Sequence, residues 1–234
     1  MNYWFRFLSY LAFALLLASC LESGPADDDD ILVERAQAIH SAVITLDSHD
    51  DIPYDFATTT VNPLNADRQV TLEKMREGGL DVAFFIVYVA QTERTPDNYA
   101  KAKTDAMIKF NAIHRMAEEM YPNLIEIAYS ADDVERIHAS GKLVAAIGIE
   151  NGYVIGQDLS LLQTYHDLGA RYITLAHGGH NDIADSAQAR PQFGDDDSEH
   201  NGISTFGAAV IEEMNRLGII VDISHVSKAA ALDA

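Results

Sequence analysis

Apolar and polar residues fall along this chain in two kinds of block. Residues 80–90, 143–149, 171–176 and 219–224 are short, nearly continuous apolar runs, rich in β-branched and aromatic side chains. A strand buried on both faces of a parallel sheet reads in this way. Residues 43–46 and 124–128 add two shorter runs, the first expected as a buried strand ending in a polar cluster. Between the runs, apolar residues recur at helical spacing over 31–41, 71–78, 98–120, 131–138, 159–168 and 206–217. Another helix starts near Lys228. Gly78-Gly79, Gly141, Gly169 and Gly218 stand where helices stop. Ser130 with Asp133 forms a capping box, and Asp158 is placed to cap the helix at 159. On the long helix, Ala102, Met107, Ile108, Ile113, Met116 and Met120 form the expected buried stripe. Residues 178–202 make one long polar loop.

Strand, loop and helix in repeated alternation define an α/β domain with a parallel sheet. A (β/α)8 barrel of the TIM type accounts for the chain better than a doubly wound sheet. No Gly-x-Gly-x-x-Gly or Walker loop follows any strand. Instead, ligand-type residues stand at the carboxyl ends of successive strands: His49 and Asp51, Glu150, His177 and His225. A barrel gathers its strand ends around one mouth, where catalytic groups sit. Strand alternation puts His49 and Asp51 on one face, and Asp47 has the same parity.

Charge and cysteine content narrow the chemistry. The 234 residues carry 36 acidic and 16 basic side chains, a net charge of -20. Such a surface does not neutralise phosphates, so nucleic acid is excluded as the expected partner. With a single cysteine, Cys20, neither an intrachain disulfide nor a thiolate cluster can form. A metal would be held by imidazoles and carboxylates. Residues 1–20 read as a secretory signal, and Leu17-Ala-Ser-Cys20 resembles the bacterial lipobox. The resemblance implies lipidation of Cys20 and an anchor in the bacterial cell envelope, on the extracytoplasmic side. Residues 21–30 follow as an acidic linker, and 31–234 as the barrel.

A carboxylate such as Glu150, central among histidines, can bridge two cations. Two metals sharing a water lower its pKa toward neutrality and polarise a carbonyl oxygen. The chemistry indicated is hydrolysis of an amide or ester. His40, His114, His138, His166 and His200 lie on expected helices or loops and take no ligand role. Asn181 and Asp185 are candidates for the substrate side or for orienting ligands, and His180 is expected to face solvent.

Five stretches resemble the membrane (renal) dipeptidase family of zinc metallopeptidases. They are Leu46-Asp-Ser-His-Asp-Asp-Ile-Pro53, Ile147-Gly-Ile-Glu-Asn-Gly152, residues 173–186, residues 200–207 and residues 213–227. The resemblance implies a (β/α)8 barrel with two zinc ions. His49 and Asp51 would bind one, Glu150 would bridge both, and His225 would bind the second. His177 would contact the substrate and stabilise the tetrahedral intermediate, with Glu150 shuttling the proton. The substrate implied is a small peptide, and the assembly a homodimer. The family barrel continues for about three more strands, carrying another histidine, an arginine and an aspartate. The chain is therefore expected to be the N-terminal part of the metallopeptidase barrel, and inactive alone. The alternatives are another metal-dependent amidohydrolase on the same barrel, or a noncatalytic surface lipoprotein.

Overall fold

A computed structural model describes residues 28–234. The expected signal peptide, Cys20 and most of the acidic linker lie outside the described residues. The first helix, α1 (Asp28–His40), belongs to a unit of its own, separate from residues 44–234. Asp29 and Asp30 stand in its first turn, where acidic groups favour the positive end of a helix dipole. Its apolar residues Ile31, Val33 and Ile39 are exposed.

The second unit is a six-stranded, all-parallel sheet. Its strands are β1 (Leu46–Asp51), β2 (Val82–Tyr88), β3 (Ile125–Ile127), β4 (Leu143–Glu150), β5 (Ala170–Thr174) and β6 (Ile220–Asp222). The order is β1-β2-β4-β5-β6, and β3 also pairs with β4. β2 takes one edge of β4 along its whole length. The other edge is divided, with residues 143–145 paired to β3 and 147–149 to β5. Every residue of β4 is buried, as its unbroken apolar run required.

Helices connect the strands: α2 (Leu72–Gly78), α3 (Pro96–His114), α4 (Ala131–Ala139), α5 (Leu161–Asp167) and α6 (Thr205–Leu217), and α7 (Lys228–Asp233) follows β6. Thr71, Thr95, Ser130, Ser204 and Ser227 each accept a backbone N–H at a helix start, satisfying donors the helix leaves free. Gly79 and Gly218 end α2 and α6 in the left-handed conformation.

Alternate strand residues divide the sheet into two faces. Ala83, Phe85 and Val87 of β2 and Ala145, Ile147 and Ile149 of β4 face the helices in the main core. Val82, Phe84, Val144 and Ala146 point to the other side, whose lower end is closed by Val134 and Ile137 of α4. That side is concave. The Tyr172 hydroxyl on β5 reaches Ser48 on β1, although three strand spacings of a flat sheet would separate them by about 14 Å. The curled, all-parallel sheet with its outer helices is the TIM-like arrangement expected.

Four local expectations are corrected. β1 begins at Leu46, and Val43, Ile44 and Leu46 are exposed, so residues 43–46 are not a buried strand. On α3 the buried stripe runs through Ala102, Ala106, Phe110 and Ile113, while Ile108 is exposed. Phe110 sets that face by stacking on Tyr165 at 5.5 Å. The last turns, Arg115–Met120, are π-helical. Asp158 does not cap a helix at 159. Its carboxylate accepts from the Ser160 amide and hydroxyl, tying off a turn before α5.

Candidate metal centre

Glu150 ends β4 on the concave face, buried, with its two carboxylate oxygens facing different neighbours. Oε2 lies 3.6 Å from Nε2 of His49. Oε1 lies 3.1 Å from Nε2 of His225 and 3.6 Å from Nε2 of His177. Asp51 Oδ2 completes the first side at 3.7 Å from His49 Nε2. Two donor groups result, His49–Asp51–Glu150 and Glu150–His177–His225, each with ligand atoms within 4.8 Å of one another. Most of these separations exceed hydrogen-bond reach, yet oxygen and nitrogen lone-pair atoms converge. A divalent cation in each group answers that arrangement, and mixed imidazole–carboxylate donors suit zinc or a similar transition metal.

The neighbouring backbone aims these groups. One extra residue in β1 forms a bulge between Asp47 and Asp50. Asp47 pairs with Ala83 and Asp51 with Ile86, which lie on opposite faces of β2. The bulge therefore removes Asp47 from the parity it was expected to share with Asp51, and its carboxylate accepts the His49 amide instead. Asn151, immediately after Glu150, has φ 80°, and His225 has φ 64°. Both conformations are strained for residues with a side chain, and such strain is held in place by surrounding structure. The polar loop buttresses His225, whose carbonyl accepts from the Ala187 amide at 2.8 Å.

That loop is far less solvated than its composition suggested. His180 is fully buried rather than facing solvent. Its Nδ1 accepts the Ser186 amide and its Nε2 donates to the Asp196 carbonyl. Asn181 donates to the Leu175 carbonyl and accepts from Ile183 and Ala184. Asp185 accepts from the Ser198 hydroxyl and the amides of Glu199, His200 and Gly202. Burial works to raise its pKa, but these donors outweigh burial and bring it down to about 2. Asn181 and Asp185 organise the loop and make none of the donor-group contacts.

His177 packs between two rings, 5.0 Å from Tyr88 and 4.4 Å from His225. Burial lowers its pKa against the pull of Glu150, and His225 and Arg190 add to the lowering. Its ring is therefore neutral near pH 7. Three further groups around the mouth carried no motif. Arg68 bonds the buried Asp50 at 3.2 Å and also the carbonyl of Asp51. Burial pushes Asp50 up to about 6 despite that arginine. Lys109, buried on α3, sits over the rings of Tyr54 and Tyr88 at 5.0 and 5.7 Å. Tyr172 reaches His49 itself, at 3.2 Å. In sequence Tyr172 is one more apolar position in a strand.

A curled parallel sheet with a shared carboxylate at one strand end and paired imidazoles in the loops just beyond two others defines the class of metal-dependent hydrolases on a TIM-like barrel. Residues 33–234 match the family model of membrane dipeptidases, peptidase family M19, and the chain belongs to that family. Dipeptidase aclJ of Aspergillus oryzae is 36% identical over 165 residues, which is 69% of this chain and 37% of that protein. Dipeptidase verJ of Clonostachys rogersoniana is 27% identical over 86% of this chain and 53% of its own length. The probable dipeptidase PvdM of Pseudomonas aeruginosa superposes with a TM-score of 0.78 at 30% identity, covering 84% of this chain and 50% of that one. A Rhodobacter sphaeroides metallopeptidase, solved with a phosphinate mimic of L-Ala-D-Ala, shares the fold at a TM-score of 0.59, with 23% identity and coverage of 70% and 52%. The chain thus spans about half the length of its relatives, or less.

Proposed function

We propose that the protein hydrolyses dipeptides with two zinc ions, and that residues 44–234, without the first helix, form the N-terminal part of its barrel. The observation that carries this reading is Glu150, whose two oxygens face separate donor groups. His49 and Asp51 would hold one ion and His225 the other, with Glu150 able to serve both. Zinc held there brings the pKa of bound water toward neutrality and polarises a carbonyl oxygen.

The remaining steps belong to the chain's own side chains. Glu150 takes the proton lost by the attacking water and returns it to the leaving amine. His177, neutral and beside Glu150, donates to the oxygen on which negative charge develops. His177 also falls within the second donor group, so its assignment to substrate rests on the family resemblance. The L-Ala-D-Ala mimic on the Rhodobacter relative supports short peptides as substrates, including those with a D-residue. Lipidation at Cys20 would hold the protein in the bacterial envelope facing away from the cytoplasm, and the family resemblance implies a homodimer.

The test is turnover of L-Ala-L-Ala and L-Ala-D-Ala by zinc-loaded protein, both as the 234-residue chain and in any longer form its coding sequence specifies. Hydrolysis abolished by a chelator and restored by Zn²⁺ is expected of the longer form. A zinc-replete longer form that cleaves neither dipeptide would overturn the reading.

A further inference from the structure

Tyr172 crosses the concave face beside the donor groups. Its side chain leaves β5, passes Gly148 of β4 and packs on Phe84 of β2 with ring centroids 5.1 Å apart. A Cβ on Gly148 would lie 2.3 Å from Tyr172 Cζ. The bare backbone at 148 is thus what lets the ring cross β4. At β1 the hydroxyl stands 3.1 Å from the carbonyl oxygen of Ser48 and 3.2 Å from Nδ1 of His49.

These two contacts have different chemistry. A phenol carries one proton, and a carbonyl oxygen only accepts. The Tyr172 proton therefore goes to Ser48. Toward His49 the same oxygen accepts, so the hydrogen between them belongs to Nδ1. In a neutral imidazole the other nitrogen is then bare. That nitrogen is Nε2, the atom turned toward Asp51 and Glu150.

We propose that Tyr172 is a positioning residue: its hydroxyl holds His49 in the Nδ1–H tautomer and so presents Nε2 as a metal donor, with Gly148 as the gap that admits it. The role in metal binding rests on reading His49 as a ligand; the tautomer does not. Hydrogen bonds from the far nitrogen of a ligating histidine set its tautomer and orientation, and losing them typically weakens metal affinity about ten- to hundredfold.

The test is nitrogen-15 NMR of the histidine rings in the metal-free chain, above the imidazole titration range, with His49→Asn identifying the signals. His49 is expected as Nδ1–H. Tyr172→Phe keeps the ring against Phe84 and deletes the hydroxyl. In that variant His49 should shift toward Nε2–H, and Zn²⁺ affinity should fall about tenfold or more, with the circular dichroism spectrum unchanged. A wild-type His49 resting as Nε2–H overturns the proposal, as does a Tyr172→Phe chain with the wild-type tautomer. The wild-type spectrum needs no variant, so a folding defect in Tyr172→Phe leaves the test intact. If the wild-type chain shows Nδ1–H but takes up no Zn²⁺, the metal reading falls and the tautomer assignment stands.

Discussion

The two faces of the sheet are built from the same strands to opposite ends. On β4, Leu143, Ala145, Ile147 and Ile149 lie under the helices, and Val144, Ala146, Gly148 and Glu150 line the hollow. The helix face is closed and apolar, with Phe85, Val87, Ile147 and Ile149 at 2% exposure or less. The concave face is partly open: Leu46 and Ile220, on its two outer strands, are 54% and 62% exposed. It also carries every group of the candidate centre that belongs to a strand. A period of two residues thus separates stability from chemistry within a single strand. A change on one face should leave the other's property nearly untouched.

The largest test of that separation is Glu150→Gln. In the longer form, removing the shared carboxylate charge should lower dipeptide turnover by about a thousandfold or more, with the melting temperature nearly unchanged. A variant that unfolds instead would join the two faces. Ile147→Ala asks the converse. Loss of this fully buried side chain should cost about 2–5 kcal/mol in urea denaturation, while Zn²⁺ affinity of the folded chain stays at its wild-type value.

Asp185 lies in the loop that supports His225 and belongs to neither face. Its folded pKa of about 2 is below its ordinary 3.8, so it adds stability that is fully present above pH 3.8 and is lost as pH falls through 2. Asp185→Asn should cost about 2 kcal/mol at pH 7. The difference from wild type should vanish near pH 2, measured as denaturation midpoints across that range. The smallest effect is expected at Ile220→Ser, within about 0.5 kcal/mol in this chain because the side chain is exposed. A cost like that at Ile147 would mean that the hollow is covered in solution.

Much of this architecture is legible in one dimension. Continuous apolar runs such as 143–149 mark doubly covered strands, and glycines such as Gly79 and Gly218 mark helix ends. Glu150, His177 and His225 announce themselves as ligand-type residues where apolar runs stop. Local pattern and backbone preference govern all of these, and both act between near neighbours. The misreadings share one cause. Residues 43–46 look buried because they are apolar, but burial depends on what lies alongside, and β1 is an edge. His180 looks solvated because its loop is polar, but that polarity is spent on internal bonds to Ser186 and Asp196.

The sequence by itself determined the alternating α/β order, the parallel sheet and the residues able to bind a cation. Only the tertiary structure decided how those residues divide. The bulge in β1 turned Asp47 away from Asp51, the curl of the sheet brought both sides of Glu150 against imidazoles, and Gly148 opened the path from Tyr172 to His49. Each of these joins residues far apart in the chain, and such contacts form only when whole elements pack.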